Sequence, residues 1–182
     1  MELRRANTTK RLGIPEKERI WVFTAVGMTV LILIVGIGGM LHMSAASLHS
    51  RSFEHTYKNY GSNARLALFF VLAYYVLSLL IKQRIWGRME IMKKGVVILL
   101  RIVRKWHTPA AILAIGLIVL HAAAVFVYGF TFNFSNVSGL LALIVLLPVP
   151  VSGLFRYKRL DRRWHLRSGL AFAVLFLIHA FL

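Results

Sequence analysis

The sequence predicts an all-α integral membrane protein, a bundle of five transmembrane helices with an amphipathic interfacial helix. Three observations carry that reading. Hydrophobic residues make up 58% of the 182 and charged residues only 16%, against about 45–50% and about 25% in soluble domains. The apolar residues come in runs of membrane-spanning length. The bases lie between those runs, nearly all on one side of them. The formal charge of +17 therefore reports topology, and no nucleic-acid partner is expected, because the basic segments are short and tied to apolar spans.

A hydrocarbon core about 30 Å thick takes about 20 residues of helix. The first run is Trp21–Leu41 and the second is Leu66–Ile81, which is short. The third is Pro109–Phe130. The fourth is Val137–Phe155, where Pro148 and Pro150 predict a kink. The fifth is Ser168–Leu182. Trp21, Tyr128 and Phe155 stand near span ends, where interfacial aromatics belong. Span one is too long for a signal-peptide core and no A-x-A site follows it, so it is expected to be retained. Residues 1–20 then form a cytoplasmic N-terminal segment, and residues 21–182 form the transmembrane domain.

Lys and Arg set the orientation. Of 23 bases, 20 fall in the N-terminal segment, in Lys82–Lys105 and in Arg156–Arg167, and none in the loop Thr131–Asn136. The expected placement is multi-pass in a bacterial cytoplasmic membrane, with the N-terminus cytoplasmic and the C-terminus outside. Gln83–Trp106 mixes apolar residues with seven bases, as an amphipathic helix on the inner membrane surface does. Ser44–Ala64 is polar and belongs on the outer surface, with His49, His55, Phe53, Tyr57 and Tyr60.

The chain has no cysteine, which removes disulfides, thiolate metal sites and covalently attached haem. Histidine is left, in a local repeat. Arg104-Lys-Trp-His107 is followed by His121, and Arg162-Arg-Trp-His165 by His179, each second histidine 14 positions after the first. Fourteen residues of helix return to within about 40° of the starting face and rise about 21 Å. Spans three and five run in the same direction. His107 is then level with His165 near the cytoplasmic side, and His121 with His179 nearer the outside. Ionisable groups inside a bilayer are costly and tend to be functional. A zinc or non-haem iron site needs three or four protein ligands, and each level offers two histidines with no Asp or Glu in any span. Haem b supplies four equatorial nitrogens and needs only two axial ligands, which fits that count. The structural alternative is a hydrogen-bonded histidine ladder. Ala110, Ala111 and Ala114 follow His107 on its face, and Ser168, Gly169 and Phe172 follow His165. Small side chains there let a flat ring approach. Arg104, Arg163 and Arg167, among the bases near the inner level, are candidates for the haem propionates.

Two co-directional helices with such histidine pairs, separated by one helix, resemble the ferric reductase-like transmembrane domain. That group includes ferric reductases, NADPH oxidases and the haem subunit of periplasmic methionine sulfoxide reductase. The resemblance covers Arg101–Leu182 and rests on spacing. It implies that His107 and His165 hold an inner b haem, that His121 and His179 hold an outer one, and that electrons move outward. Larger members add flavin and nicotinamide domains and often have six spans. Here five are counted and no G-x-G-x-x-G follows a strand, so hydride capture from a nicotinamide is not expected of this chain itself.

The expected function is transmembrane electron transfer through two haem b groups. The chain is then the membrane subunit linking a cytoplasmic or quinol donor to an acceptor at the opposite face. Redox partner proteins and membrane lipid are the expected partners. The alternative is a quinone-reactive di-haem anchor subunit of a respiratory dehydrogenase or hydrogenase complex. A quinone pocket then draws on His42, His49, Arg51 and Phe53 at the outer interface. The competing reading of His42, His49 and His55 is solvated interfacial histidines.

Overall fold

The computed structural model describes residues 16–83, 90–157 and 162–182, and every long element in them is an α-helix. In chain order these are α1 Glu16–Leu41, α2 Ala45–Leu48, α3 Arg51–Lys82, α4 Glu90–Gly129, α5 Phe134–Leu146, α6 Pro148–Tyr157 and α7 Arg162–Phe181. Among the described residues five stretches are long and apolar enough to cross a membrane. The third and fifth runs lie in such helices except for their last residues, Phe130 and Leu182, and the fourth run spans α5 and α6. Residues 1–15 of the N-terminal segment, residues 84–89 of the basic loop and residues 158–161 lie outside the described residues, as do the side chains of Phe155, Arg156 and Arg162.

The helices leave their apolar side chains facing out. On α1, Ile20, Phe23, Leu31, Ile34 and Val35 are each more than 60% exposed. A water-soluble protein does not carry such a patch. In hydrocarbon it costs nothing, and the helix satisfies its own backbone hydrogen bonds.

Two boundaries differ from the sequence reading. α3 starts at Arg51, well before the apolar run at Leu66, because Ser50 caps it: the Phe53 N–H donates to Ser50 Oγ at 3.2 Å. Hydropathy marks the thickness of hydrocarbon, and the helix continues past it into polar sequence. The basic amphipathic segment is likewise not separate from span three. From Glu90 to Trp106 it runs without a break into α4, a helix of 40 residues with Pro109 inside it. The kink expected in span four is a break between α5 and α6 at Leu147. Pro148 has no N–H for the Ile144 carbonyl, and the Leu147 N–H takes that carbonyl at 3.2 Å instead.

The residues gather into two compact units, one of Ile20–Gly129 and one containing Phe130–Leu182. In the first, α3 and α4 form an antiparallel hairpin, with Tyr57 against His121 at one end and Tyr74 against His107 at the other. α1 packs on α4 through small residues: a Cβ on Gly116 would stand 2.5 Å from Thr29 Cγ2, and one on Gly36 would stand 2.6 Å from Leu120 Cδ2. Trp21 and Trp106 pack at 4.8 Å, with the Lys105 ammonium 5.7 Å from each ring centre, the kind of aromatic and cationic group found at a membrane interface. In the second unit α5 and α6 run antiparallel to α7.

Candidate functional site

The four repeated histidines divide between the units. His107 and His121 lie on α4 beside α3, and His165 and His179 lie on α7 beside α6 and α5. All four are half-buried. Each helix is continuous between its two histidines, so each pair keeps to one side of its helix.

Three of the rings are held in the same way. His121 Nδ1 lies 2.9 Å from the Tyr57 carbonyl oxygen. His179 Nδ1 lies 3.0 Å from the Ser135 carbonyl oxygen, and His165 Nδ1 lies 3.2 Å from that of Val149. A carbonyl only accepts, so in each case Nδ1–H is the donor. A neutral imidazole protonated at Nδ1 has its lone pair on Nε2, which is the tautomer and orientation of a metal-ligating histidine backed by an outer hydrogen bond. The fourth ring, His107, packs on Tyr74 with centroids 5.3 Å apart.

A glycine sits four residues beyond each accepting carbonyl, one helical turn along. Gly61 follows Tyr57, Gly139 follows Ser135 and Gly153 follows Val149. A Cβ on Gly61 would stand 2.9 Å from His121 Cε1, and one on Gly139 would stand 2.8 Å from His179 Cε1. The same atom on Gly153 would meet His165 at 3.6 Å, an ordinary contact. Two of the imidazoles therefore occupy space that any larger residue would take.

Serine completes the second unit. Ser152 Oγ is 3.0 Å from His165 Nδ1 and donates its own proton to the Val149 carbonyl at 2.7 Å. Ser138 Oγ is 3.3 Å from His179 Nδ1 and donates to the Ser135 carbonyl at 2.9 Å. Both serines are buried, at 2% and 6% exposure, so their hydroxyls depend on these partners. None of these carbonyls, glycines and serines was expected from the histidine spacing, yet half of them carry a signal of their own. Val-Ser-Gly-Leu occurs twice, at 137–140 and 151–154, with the same 14-residue interval as the histidines opposite. Gly61 and Tyr57 have no such repeat.

The other expected residues are placed less closely. Arg104, Arg163 and Arg167 are exposed. Arg104 stands one turn before His107 on α4, and Arg163 and Arg167 flank His165 on α7. Ala114 is fully buried, and Phe172 is buried and stacked on Phe176 at 6.0 Å. Near His121 the rings of Tyr57, Tyr128 and His49 follow one another at 5.3 and 6.3 Å. The Tyr128 hydroxyl donates to Glu54, which also pairs with Lys58 at 2.6 Å. His42, His49 and His55 are exposed, and His49 Nδ1 lies 2.9 Å from the Ala45 carbonyl oxygen. Among the described residues no three His, Cys, Asp or Glu side chains gather as a metal site. An apolar cavity of about 410 Å³ lies in the first unit, lined by Met40, Phe53, Thr56, Tyr60 and Leu120 among others. Of the residues considered for a quinone pocket, it includes Phe53 but not His42, His49 or Arg51.

No known protein family, curated protein or solved structure matches this chain.

Proposed function

We propose that this chain is the electron-transfer subunit of a membrane oxidoreductase, binding two b haems through His107 with His165 and through His121 with His179. The observation that carries the reading is the common hydrogen bond: His121, His165 and His179 each direct Nδ1–H to a helix carbonyl, which sets Nε2 as the ligating nitrogen. Three of the four histidines therefore fit the group by tautomer as well as by count. When bound, haem supplies reversible one-electron chemistry.

The chain's own residues do the rest. The carbonyls of Tyr57, Ser135 and Val149 hold the imidazoles in one tautomer and one orientation. Gly61 and Gly139 keep the space those rings occupy. Arg104, Arg163 and Arg167 supply guanidinium groups for propionates, to which their planar forks are suited. The apolar surfaces of the five helices face lipid and exclude water from the sites. By the distribution of Lys and Arg the N-terminus lies on the cytoplasmic side of the membrane. His107 and His165 then serve a donor on the cytoplasmic side, a flavoprotein or quinol. His121 and His179 serve an acceptor outside.

A second reading, the quinone-reactive anchor, is favoured by the cavity, since its wall residues Tyr60 and Leu120 adjoin Gly61 and His121. Iron–sulfur subunits that co-purify with the chain support the anchor, and their absence favours the outward-transfer subunit. The test is made in sealed vesicles with ascorbate and a mediator inside and ferricyanide outside. The reading expects reduction of ferricyanide that depends on the protein and is lost in His121→Ala. Rates equal to those of protein-free vesicles would contradict it.

A further inference from the structure

We infer that Ser152 and Ser138 are positioning residues that tune the two sites separately, one haem each. The inference rests on the haem reading above. Each serine hydroxyl spends its proton on the carbonyl three residues back, at 2.7 Å for Ser152 and 2.9 Å for Ser138. Its lone pairs are then turned to accept, and the atom within reach is the histidine Nδ1 of α7. Each Nδ1–H is shared between a hydroxyl and a carbonyl that are themselves bonded to one another. This triangle fixes the imidazole plane more tightly than a single acceptor does, and it adds acceptor strength on the proton.

The two triangles are not equal. For His165 the hydroxyl is the nearer acceptor, 3.0 Å against 3.2 Å for the carbonyl. For His179 the order reverses, 3.3 Å for the hydroxyl against 3.0 Å for the carbonyl. Ser168 Oγ stands 3.3 Å from Ser152 Oγ but donates to the Trp164 carbonyl at 3.0 Å, which leaves the Ser152 hydroxyl to His165. The His165 site therefore depends more on its serine than the His179 site does. A stronger acceptor on Nδ1–H makes the imidazole a better electron donor to iron, which favours the ferric state and lowers the reduction potential. Removing the hydroxyl raises it.

The alternative role for each hydroxyl is to cap its own helix carbonyl, as serines commonly do in membrane helices. That role leaves the haem potentials alone. The experiment is a spectroelectrochemical titration of purified wild type, Ser152→Ala, Ser152→Thr and Ser138→Ala. Low-temperature spectra of the ferric protein follow ligand orientation in parallel. Ser152→Ala is expected to raise the potential of one haem by about a fivefold change in its one-electron equilibrium, the order of one hydrogen bond. Ser138→Ala raises the other haem by less, and Ser152→Thr restores the wild-type value. Unchanged potentials in both alanine variants overturn the inference. So does an equal shift of both haems by either variant, or a threonine variant that behaves as alanine. A wild-type protein without haem overturns the functional reading itself, which separates the two failures.

Discussion

Replacing Gly139 with alanine tests whether the glycines opposite the histidines hold space for the rings. The new Cβ would stand 2.8 Å from His179 Cε1. Carbon atoms in contact prefer at least about 3.5 Å, so the imidazole must retreat by about 0.7 Å. The same retreat stretches the 3.0 Å bond from His179 Nδ1 to the Ser135 carbonyl. At about 3.7 Å that bond no longer counts as one. The loss costs about 1 kcal/mol, and overpacking adds about 1–3 kcal/mol if the ring is blocked. Gly153→Ala is the internal control, because its Cβ would meet His165 at 3.6 Å and nothing has to move. The assay is a reduced-minus-oxidised spectrum with haem content per chain, together with thermal unfolding in detergent. Gly139→Ala is expected to lose or shift the haem proposed for His121 and His179 and to lower the melting temperature. Gly153→Ala is expected to keep both haems. Equal behaviour of the two variants would mean that Gly139 holds no space for the His179 ring.

Other outcomes follow from the histidine repeat and from the packing within each unit. His107→Ala and His165→Ala are expected to remove one and the same haem, and His121→Ala and His179→Ala the other, as read from the redox titration of each variant. Because the chain has no cysteine, single cysteines report topology cleanly. Asn133→Cys should react with an impermeant maleimide from outside intact cells, and Lys93→Cys only after the cells are opened. The α1–α4 contact is tested by Gly116→Ala, whose Cβ would stand 2.5 Å from the stiff Thr29 side chain. It should destabilise the protein by about 1–3 kcal/mol in chemical unfolding. Gly95→Ala has open space around it and should be neutral or stabilising by about 0.5–1 kcal/mol, as alanine is in a helix interior.

Much of the fold could be read in advance because hydrocarbon imposes one demand, a run of apolar residues as long as the bilayer is thick. That demand says nothing about where a helix stops. α3 reaches back to Arg51 through residues chosen for water, and only the Ser50 cap marks its start. Glu90–Trp106 has the composition of a surface helix, yet the helix runs on through Pro109 into span three. The histidine repeat could be read because both copies keep the same interval. What lay opposite could not be read from that repeat, since it depends on the register between antiparallel helices. Val149–Gly153 meets His165 and Ser135–Gly139 meets His179 only once α7 folds back along α6 and α5. The duplicated Val-Ser-Gly-Leu was the trace of that register in the sequence. Tyr57 and Gly61 left no trace, because a backbone carbonyl can belong to any residue.

The histidine-to-carbonyl bonds also serve a purely structural ladder that ties helices together, and such a ladder binds no chromophore. Absorbance of the purified, dithionite-reduced chain decides between the two, read with pyridine haemochrome content. A b-type α-band and two haems per chain are expected, falling to one in His121→Ala. A colourless protein that folds normally, or one whose haem content is the same in His121→Ala as in wild type, would contradict the haem reading.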